Sequence, residues 1–245
     1  MDAYLLCATP RSGSSLLCGL LASTGVAGRP ESYFRAPDEP GRAAHWGIVG
    51  PEGEFDYADY VRSAVAAGRT DNGVFAARIM WGTMGEVVDK LATALEGGGS
   101  ELDRLEHAFG TTGFVYLERD DVVAQAVSWL RAEQTSIWFE TETSRPADAV
   151  DEPHFDQRRI EALHQLIIEH NTAWRQWFTR VGVKPHHVRY EDLDRDPIGT
   201  ARHVLDSLGI ALPPGRAIEV RHRRLADELN AQWIERYRAA GHDVC

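Results

Sequence analysis

Near the start of the chain an apolar run stops, a tight polar turn follows, and an apolar run resumes: LLCATPRSGSSLL, residues 5–17. Tyr4 to Ala8 reads as a short buried strand, and Leu16, Leu17, Leu20 and Leu21 recur at helical spacing over Ser14 to Ser23. The turn between them, Pro10, Arg11, Ser12, Gly13, Ser14 and Ser15, therefore joins a strand directly to a helix. A turn in that position aims several backbone N–H groups at one point, and the helix dipole adds partial positive charge there. Gly13 removes side-chain obstruction, the serines offer hydroxyls and Arg11 offers a fixed cationic fork. The chemistry is that of an anion cradle, with a phosphate as the first choice of ligand. A polar turn with a helix cap is the simpler alternative.

Further along, strand-like and helix-like segments alternate. GVFAARIMW (73–81) and GFVYLER (113–119) read as strands, and HHVRYEDL (186–193) offers a third, short one. Helices are expected over Ala58 to Ala67, Gly85 to Leu95, Asp121 to Gln134, Asp156 to Arg180, residues 196–210 and about 225–239. The strongest is Asp156 to Arg180, where Ile160, Leu163, Ile167, Trp174 and Phe178 recur near a 3.6-residue period. Asp196 is a plausible N-cap, with Pro197 in the first turn. EGGGSE (96–101) is a flexible break, and 139–155 reads as loop. Residues 27–56 are rich in Pro, Gly and charge without sustained period, a long loop of the kind that lines a binding surface. The alternation predicts an α/β fold, a P-loop-like, mostly parallel sheet flanked by helices on both faces, in a single domain over 1–245. Ligands in such sheets bind beyond the carboxyl ends of the strands, where the turn lies.

Composition narrows the function. A net charge of −11 argues against nucleic acid or an anionic membrane as partner, so any anionic ligand is held by a local basic site. No apolar stretch reaches the roughly 20 residues of a membrane span. The three cysteines, Cys7, Cys18 and Cys245, suggest neither a disulfide framework nor zinc, and no leader pattern opens the chain. A cytoplasmic setting is expected. His186 and His187 are adjacent rather than at ligand spacing, and no metal is expected. The turn is no Walker-type P-loop, because GxxxxGK[ST] requires a Lys and a first Gly that are missing here.

TPRSGSSLL resembles the 5′-phosphosulfate-binding loop of sulfotransferases that use 3′-phosphoadenosine-5′-phosphosulfate (PAPS), and STGVAGRPESYF (23–34) is similar to the bacterial trehalose 2-sulfotransferase family. The likeness continues through GVFAARIMW (73–81), DDVVAQAVSWLRAEQTSIW (120–138), YEDL (190–193) and LADELNAQWIERY (225–237), nearly the whole chain. It implies transfer of a sulfuryl group from PAPS to a carbohydrate hydroxyl, of trehalose or a related glycan or glycolipid head group, by a homodimer. It also assigns Pro10 to Ser15 to the 5′-phosphosulfate, and Arg119 and Ser128 to the 3′-phosphate. An ion pair of Arg119 with Asp120 or Asp121 is the structural alternative. Arg221, Arg223 and Arg224 are dense positive charge in an acidic chain, either closing over the nucleotide or forming a solvated face; Arg224 is taken as a donor contact.

In-line transfer rests on positioning and charge stabilisation, by analogy with phosphoryl transfer. Arg11 and the loop amides stabilise charge on the leaving phosphate, and Arg78, where the family often has Lys, either contacts the transferring group or forms a sheet-edge ion pair. The acceptor hydroxyl needs a base. The family pattern places a catalytic carboxylate where this chain has Ser32, so Glu31, one residue earlier, is the candidate base, and His45 the second. Glu31, Ser32, Tyr33, Trp46 and Trp81 are the candidate acceptor contacts, with core packing the alternative for the aromatics. Two other readings remain: a non-catalytic nucleotide- or sugar-binding protein of this fold, kept open by Ser32, and a nucleotide-dependent kinase, which predicts Mg²⁺ and a loop Lys.

Overall fold

β1 (Ala3–Ala8) is buried along its whole length, and the rest of the molecule is arranged around it. A continuous apolar run such as YLLCA belongs to a strand covered on both faces. The computed structural model describes residues 1–95, 98–138, 152–220 and 228–240. Four strands form one sheet in the order β2 (Phe75–Met80), β1, β3 (Thr112–Glu118), β4 (His186–Arg189), and every pairing is parallel. Ala8 lies opposite Met80 and Leu117, and Glu118 opposite Arg189, so the carboxyl ends of all four strands share one edge.

The two-residue alternation of β1 sorts the helices. Tyr4, Leu6 and Ala8 pack with α1 (Ser14–Ser23), α8 (Tyr190–Arg195) and α9 (Pro197–Ser207). Ala3, Leu5 and Cys7 pack with α3 (Tyr57–Gly68), α4 (Trp81–Ala94), α5 (Glu101–Phe109) and α7 (Gln157–Arg180). A third cluster joins α6 (Val122–Thr135), α7 and α10 (Glu228–Ala240) through Val127, Leu130, Ile160, Leu163, Ile167 and Trp233. Truncating Leu5 or Leu6 to Ala removes a side chain with no exposure and costs about 2–5 kcal/mol.

The predicted architecture is the observed one. Asp156 and Asp196 cap α7 and α9, accepting from Arg159 N at 3.0 Å and Gly199 N at 2.8 Å, and Pro197 opens α9. Several boundaries differ. The strand expected at 73–81 ends at Met80, because Trp81 already begins α4, four residues before Gly85. The segment 186–193 is strand only to Arg189; the acidic YED sequence turns into α8. α5 follows the glycine break and was not expected, although its capping box, Ser100 with Asp103, is written in the sequence. The segment 27–56 is not all loop: a 3₁₀ turn (Ala36–Asp38) leads into α2 (Glu39–His45), started by Pro40. Of the loop expected at 139–155, only 152–155 lies among the described residues, and it is irregular there.

Candidate functional site

The chain leaves β1 at Ala8 and enters α1 at Ser14 through two residues in the left-handed region, Arg11 (φ 64°) and Gly13 (φ 91°). Left-handed positions in a short turn direct successive N–H groups to one side. Gly13 is the N-cap of α1 and supplies no side-chain cap, whereas α3, α5, α6, α7 and α9 are each capped by an Asp or Ser side chain. α2, α4 and α8 likewise lack a side-chain cap; at α1 the uncapped amides coincide with the left-handed turn, an arrangement suited to an anion. Gly13 is required twice over. A Cβ there would sit 2.6 Å from the Tyr190 ring, and the positive φ disfavours any L side chain.

The loop rests on buried polar groups from two helices. Gln125, with no exposure, donates from Nε2 to Thr9 Oγ1 (2.9 Å) and to the Pro10 carbonyl (2.7 Å). Thr9 Oγ1 donates to Asn171 Oδ1 at 3.3 Å, and Trp174 Nε1 to the Ala8 carbonyl at 3.0 Å. Sequence reading missed Gln125 and Asn171. Their only signal is an amide on an otherwise apolar helix face. Ser12 is fully buried, and both its N–H and its hydroxyl turn back to the Thr9 carbonyl, at 3.3 and 2.8 Å. Ser14 is buried as well, and Ser15 is partly exposed at the helix entry.

Arg11 points away from α1. Its Nε donates to Ser128 Oγ on α6 at 3.0 Å, and a terminal nitrogen donates to the Trp138 carbonyl. Burial first, then the nearby charges of Arg119 and Arg131, lower its pKa to about 10, with Tyr190 opposing. Arg11 therefore stays charged at neutral pH but lies among like charges. Arg119, just past β3, lies over the Tyr190 ring at 4.4 Å. The aspartates considered as its partners are engaged by other arginines: Asp120 by Arg189 (Nε at 2.9 Å), and Asp121 by Arg238 at 2.9 Å. Asp121 also caps α6 by accepting from Ala124 N.

YEDL (190–193) supports the turn that follows β3. Tyr190 separates Gly13 from Arg119, and Glu191 Oε1 accepts from the backbone N–H groups of Asp120 (3.1 Å) and Asp121 (3.4 Å). Glu191 thereby fixes the turn that carries Arg119.

On the opposite side, Arg78 joins two segments. Its Nε donates to Ser32 Oγ at 2.9 Å and a terminal nitrogen to Ser15 Oγ at 3.0 Å. The return segment from α1 runs along β2, with Arg78 N donating to the Glu31 carbonyl at 2.9 Å. Gly28 permits that approach, since a Cβ there would meet Ala76 N at 2.7 Å. In this extended stretch neighbouring side chains diverge. Ser32 faces Arg78, and Glu31 is 60% exposed and paired with Arg42 of α2 at 3.2 Å. Arg42 also lies over the Tyr33 ring at 5.0 Å.

The remaining candidates separate. Tyr33 is a core residue rather than a ligand contact: it is 2% exposed, its hydroxyl donates to the Arg29 carbonyl at 2.9 Å, and its ring lies against Phe75 and Trp46. Trp46 and Trp81 are half-buried, packed against Tyr60 and Trp174 respectively. His45 is exposed at the end of α2, and no hydrogen bond or ion pair joins it to Arg78, Ser32 or the loop among the described residues. Arg221, Arg223 and Arg224 lie outside the described residues. Among the described residues no group of three or more His, Cys, Asp and Glu is placed to hold a metal ion, and no helix is long and apolar enough to cross a membrane.

With that geometry in place, known proteins supply a comparison. A family model described as Stf0 sulphotransferase matches residues 3–240. A trehalose 2-sulfotransferase of Mycolicibacterium smegmatis is 31% identical, over 96% of this chain and 94% of the relative. A trehalose 2-sulfotransferase of Mycobacterium tuberculosis is 29% identical over the same shares. Among solved structures, a sulfotransferase domain from the curacin biosynthetic pathway aligns with a TM-score of 0.51 at 14% identity, covering 86% of this chain and 75% of that one, a likeness of fold alone.

Proposed function

The chain belongs to the Stf0 sulphotransferase family, and on that premise we propose that it moves a sulfuryl group from PAPS to a carbohydrate hydroxyl, of trehalose or a related glycan or glycolipid head group. The observation that carries the reading is the pairing of two arrangements suited to anions at one sheet edge: the α1 N-terminus, without a side-chain cap, and Ser128 with Arg11, near enough to Arg119 for its charge to be felt. A donor with a bridging phosphosulfate and a separate 3′-phosphate has two anionic ends to match them. The two relatives named trehalose 2-sulfotransferase support the sugar acceptor.

In this reading the first-turn amides of α1 with Ser14 and Ser15 hold the 5′-phosphate, and Arg119 and Ser128 the 3′-phosphate. The bond between sulfur and the 5′-phosphate oxygen breaks as the bond to the acceptor oxygen forms. The loop amides meet the negative charge that grows on the leaving oxygen, so they bind the transition state more strongly than the ground state. Arg78, fixed between Ser15 and Ser32, lies where the transferring group passes. The acceptor proton goes to the Glu31 carboxylate, the base of this scheme, with His45 the alternative. Trp46 and Trp81 offer apolar faces for the sugar ring. The scheme uses no metal. It takes residues 1–245 as one catalytic domain, active in the cytoplasm as a homodimer, an assembly implied by resemblance.

Incubating the protein with sulfur-labelled PAPS and trehalose, beside a panel of glycans, tests the reading. A labelled sugar product is expected, and its mass identifies the acceptor. Glu31→Gln should lower turnover about 100-fold while donor affinity stays within about twofold. Undiminished turnover would remove Glu31 from the scheme. Ser32 at the family's carboxylate position favours one other reading, a binding protein without turnover. Donor binding with no product across the panel would select it.

A further inference from the structure

The geometry points to Gln125 as a positioning residue for the donor: touching no ligand itself, it holds Arg11 in the left-handed conformation that shapes the 5′-phosphate cradle. The inference rests on the donor reading above and deepens it, because the support comes from a helix that neither the sequence motifs nor the family resemblance assigned to the cradle.

Arg11, at φ 64°, is one of two non-glycine residues in the left-handed region among the described residues. That conformation is costly for an L residue and persists only where the surroundings fix it. Two contacts from α6 do so. Gln125 donates from Nε2 to the Pro10 carbonyl at 2.7 Å, which holds the peptide that enters Arg11. Ser128, three residues later on the same helix face, accepts from Arg11 Nε at 3.0 Å, which holds the side chain. A trans peptide is planar, so anchoring the Pro10 carbonyl also turns the Arg11 N–H away from Gln125. With that plane fixed, the positive φ of Arg11 carries the chain on to Gly13 and the entry of α1.

The surroundings of Gln125 show what the amide is for. The side chain is fully buried, and the other buried residues of α6 are apolar. Its Nε2 also donates to Thr9 Oγ1 at 2.9 Å, and Thr9 donates in turn to Asn171 Oδ1 at 3.3 Å, so the relay runs in one direction. Turning the amide over would set Oε1 against the Pro10 carbonyl, acceptor on acceptor. In the orientation that remains, Oε1 is buried without a hydrogen-bond partner among the described residues. An unpaired buried acceptor opposes folding, and an apolar side chain of the same size would avoid it. The stabilising part of the amide is its grip on Thr9 and the Pro10 carbonyl, the two residues that lead into Arg11.

Calorimetric titration with adenosine 5′-phosphate tests this, because that nucleotide carries the phosphate assigned to the cradle and lacks the one assigned to Ser128. Gln125→Met, of similar shape and without a donor, should weaken it about 10-fold, the effect of leaving a buried carbonyl unpaired. Arg11→Gly should change the affinity little, because glycine adopts a positive φ without help. In the Arg11→Gly background Gln125→Met should then cost at most about threefold, since two residues acting through one turn are not additive. A merely structural contact would cost the same in both backgrounds. Leu130→Ala, which loosens α6 away from the loop, should leave the affinity unchanged. Gln125→Glu, kept neutral by burial with one donor in place of two, should fall between wild type and Gln125→Met; it serves also if Gln125→Met does not fold. No loss in Gln125→Met, or an equal loss in both backgrounds, overturns the inference and leaves the donor reading intact. A wild-type protein without affinity for adenosine 5′-phosphate overturns the cradle and the inference with it, and one that also ignores adenosine 3′,5′-bisphosphate overturns the donor reading.

Discussion

The two arrangements proposed to hold the anionic ends of the donor are built by opposite means. The cradle at residues 9–15 is contiguous in the chain and works through backbone: two left-handed residues, a glycine N-cap and the amides of the α1 first turn. The second arrangement is discontinuous and relies on charge: Arg11 of the β1–α1 turn on Ser128 of α6, with Arg119 at the end of β3 near enough to lower the Arg11 pKa. A backbone site is as rigid as its turn and tolerates no added atom. The segments that carry the discontinuous arrangement are braced by Glu191 on the Asp120 and Asp121 amides, the Arg189–Asp120 and Arg238–Asp121 pairs, and the Tyr190 ring under Arg119. Tyr190 touches both arrangements and separates Gly13 from Arg119.

That contrast breaks first at Gly13. Gly13→Ala forces a Cβ to 2.6 Å from Tyr190 at a positive φ, so sulfuryl transfer should fall by a factor on the order of 1000, with a stability loss of about 1–3 kcal/mol by chemical denaturation. A variant that transfers normally would show that the backbone is not the cradle. Next comes Arg11→Ala. It should weaken adenosine 3′,5′-bisphosphate about 100-fold in calorimetry and adenosine 5′-phosphate much less, because Arg11 points to Ser128 and not to α1. Equal losses would return Arg11 to the cradle. Raising salt from about 0.1 to about 1 M should cost the bisphosphate roughly tenfold and the monophosphate less, since ions screen charged groups more than they weaken amide hydrogen bonds.

Glu191→Gln should weaken the bisphosphate by roughly fivefold and lower stability by about 1 kcal/mol, as the charge-assisted hydrogen bonds to two amides become neutral ones. The smallest effect concerns pH. Arg11, lowered to about 10, is charged in the folded and unfolded chain alike at neutral pH. A base depressed in the fold carries its full stability cost below the folded value and recovers it only as pH rises from about 10 toward the group's ordinary, higher value. Stability from this group should therefore be flat between about pH 6 and 9, and a titration within that range would point to another residue.

The cradle was legible from TPRSGSSLL because its parts are neighbours in the chain, and so was α7 from its apolar period. The fate of each hydroxyl was not: Ser12 turns inward to Thr9, while Ser15 is met by Arg78 from the neighbouring strand. The segment RPESYF announced a carboxylate near the site, but only the return path along β2 decided that Ser32 faces Arg78 and that Glu31 pairs with Arg42 in solvent. Tyr33 lies in the same segment and belongs to the core.

The sequence by itself determined the alternation of strands and helices, the cap at Asp196, and the turn around Gly13 that joins strand to helix. These are local preferences, set by φ, by side-chain reach to the next turn, and by apolar period. The tertiary structure alone decided that Tyr190 lies against Gly13, that Gln125 and Asn171 carry the loop, and that Arg11 reaches Ser128 on α6. Strand order brings residues far apart in the chain to one edge, and no local propensity encodes which of them will meet.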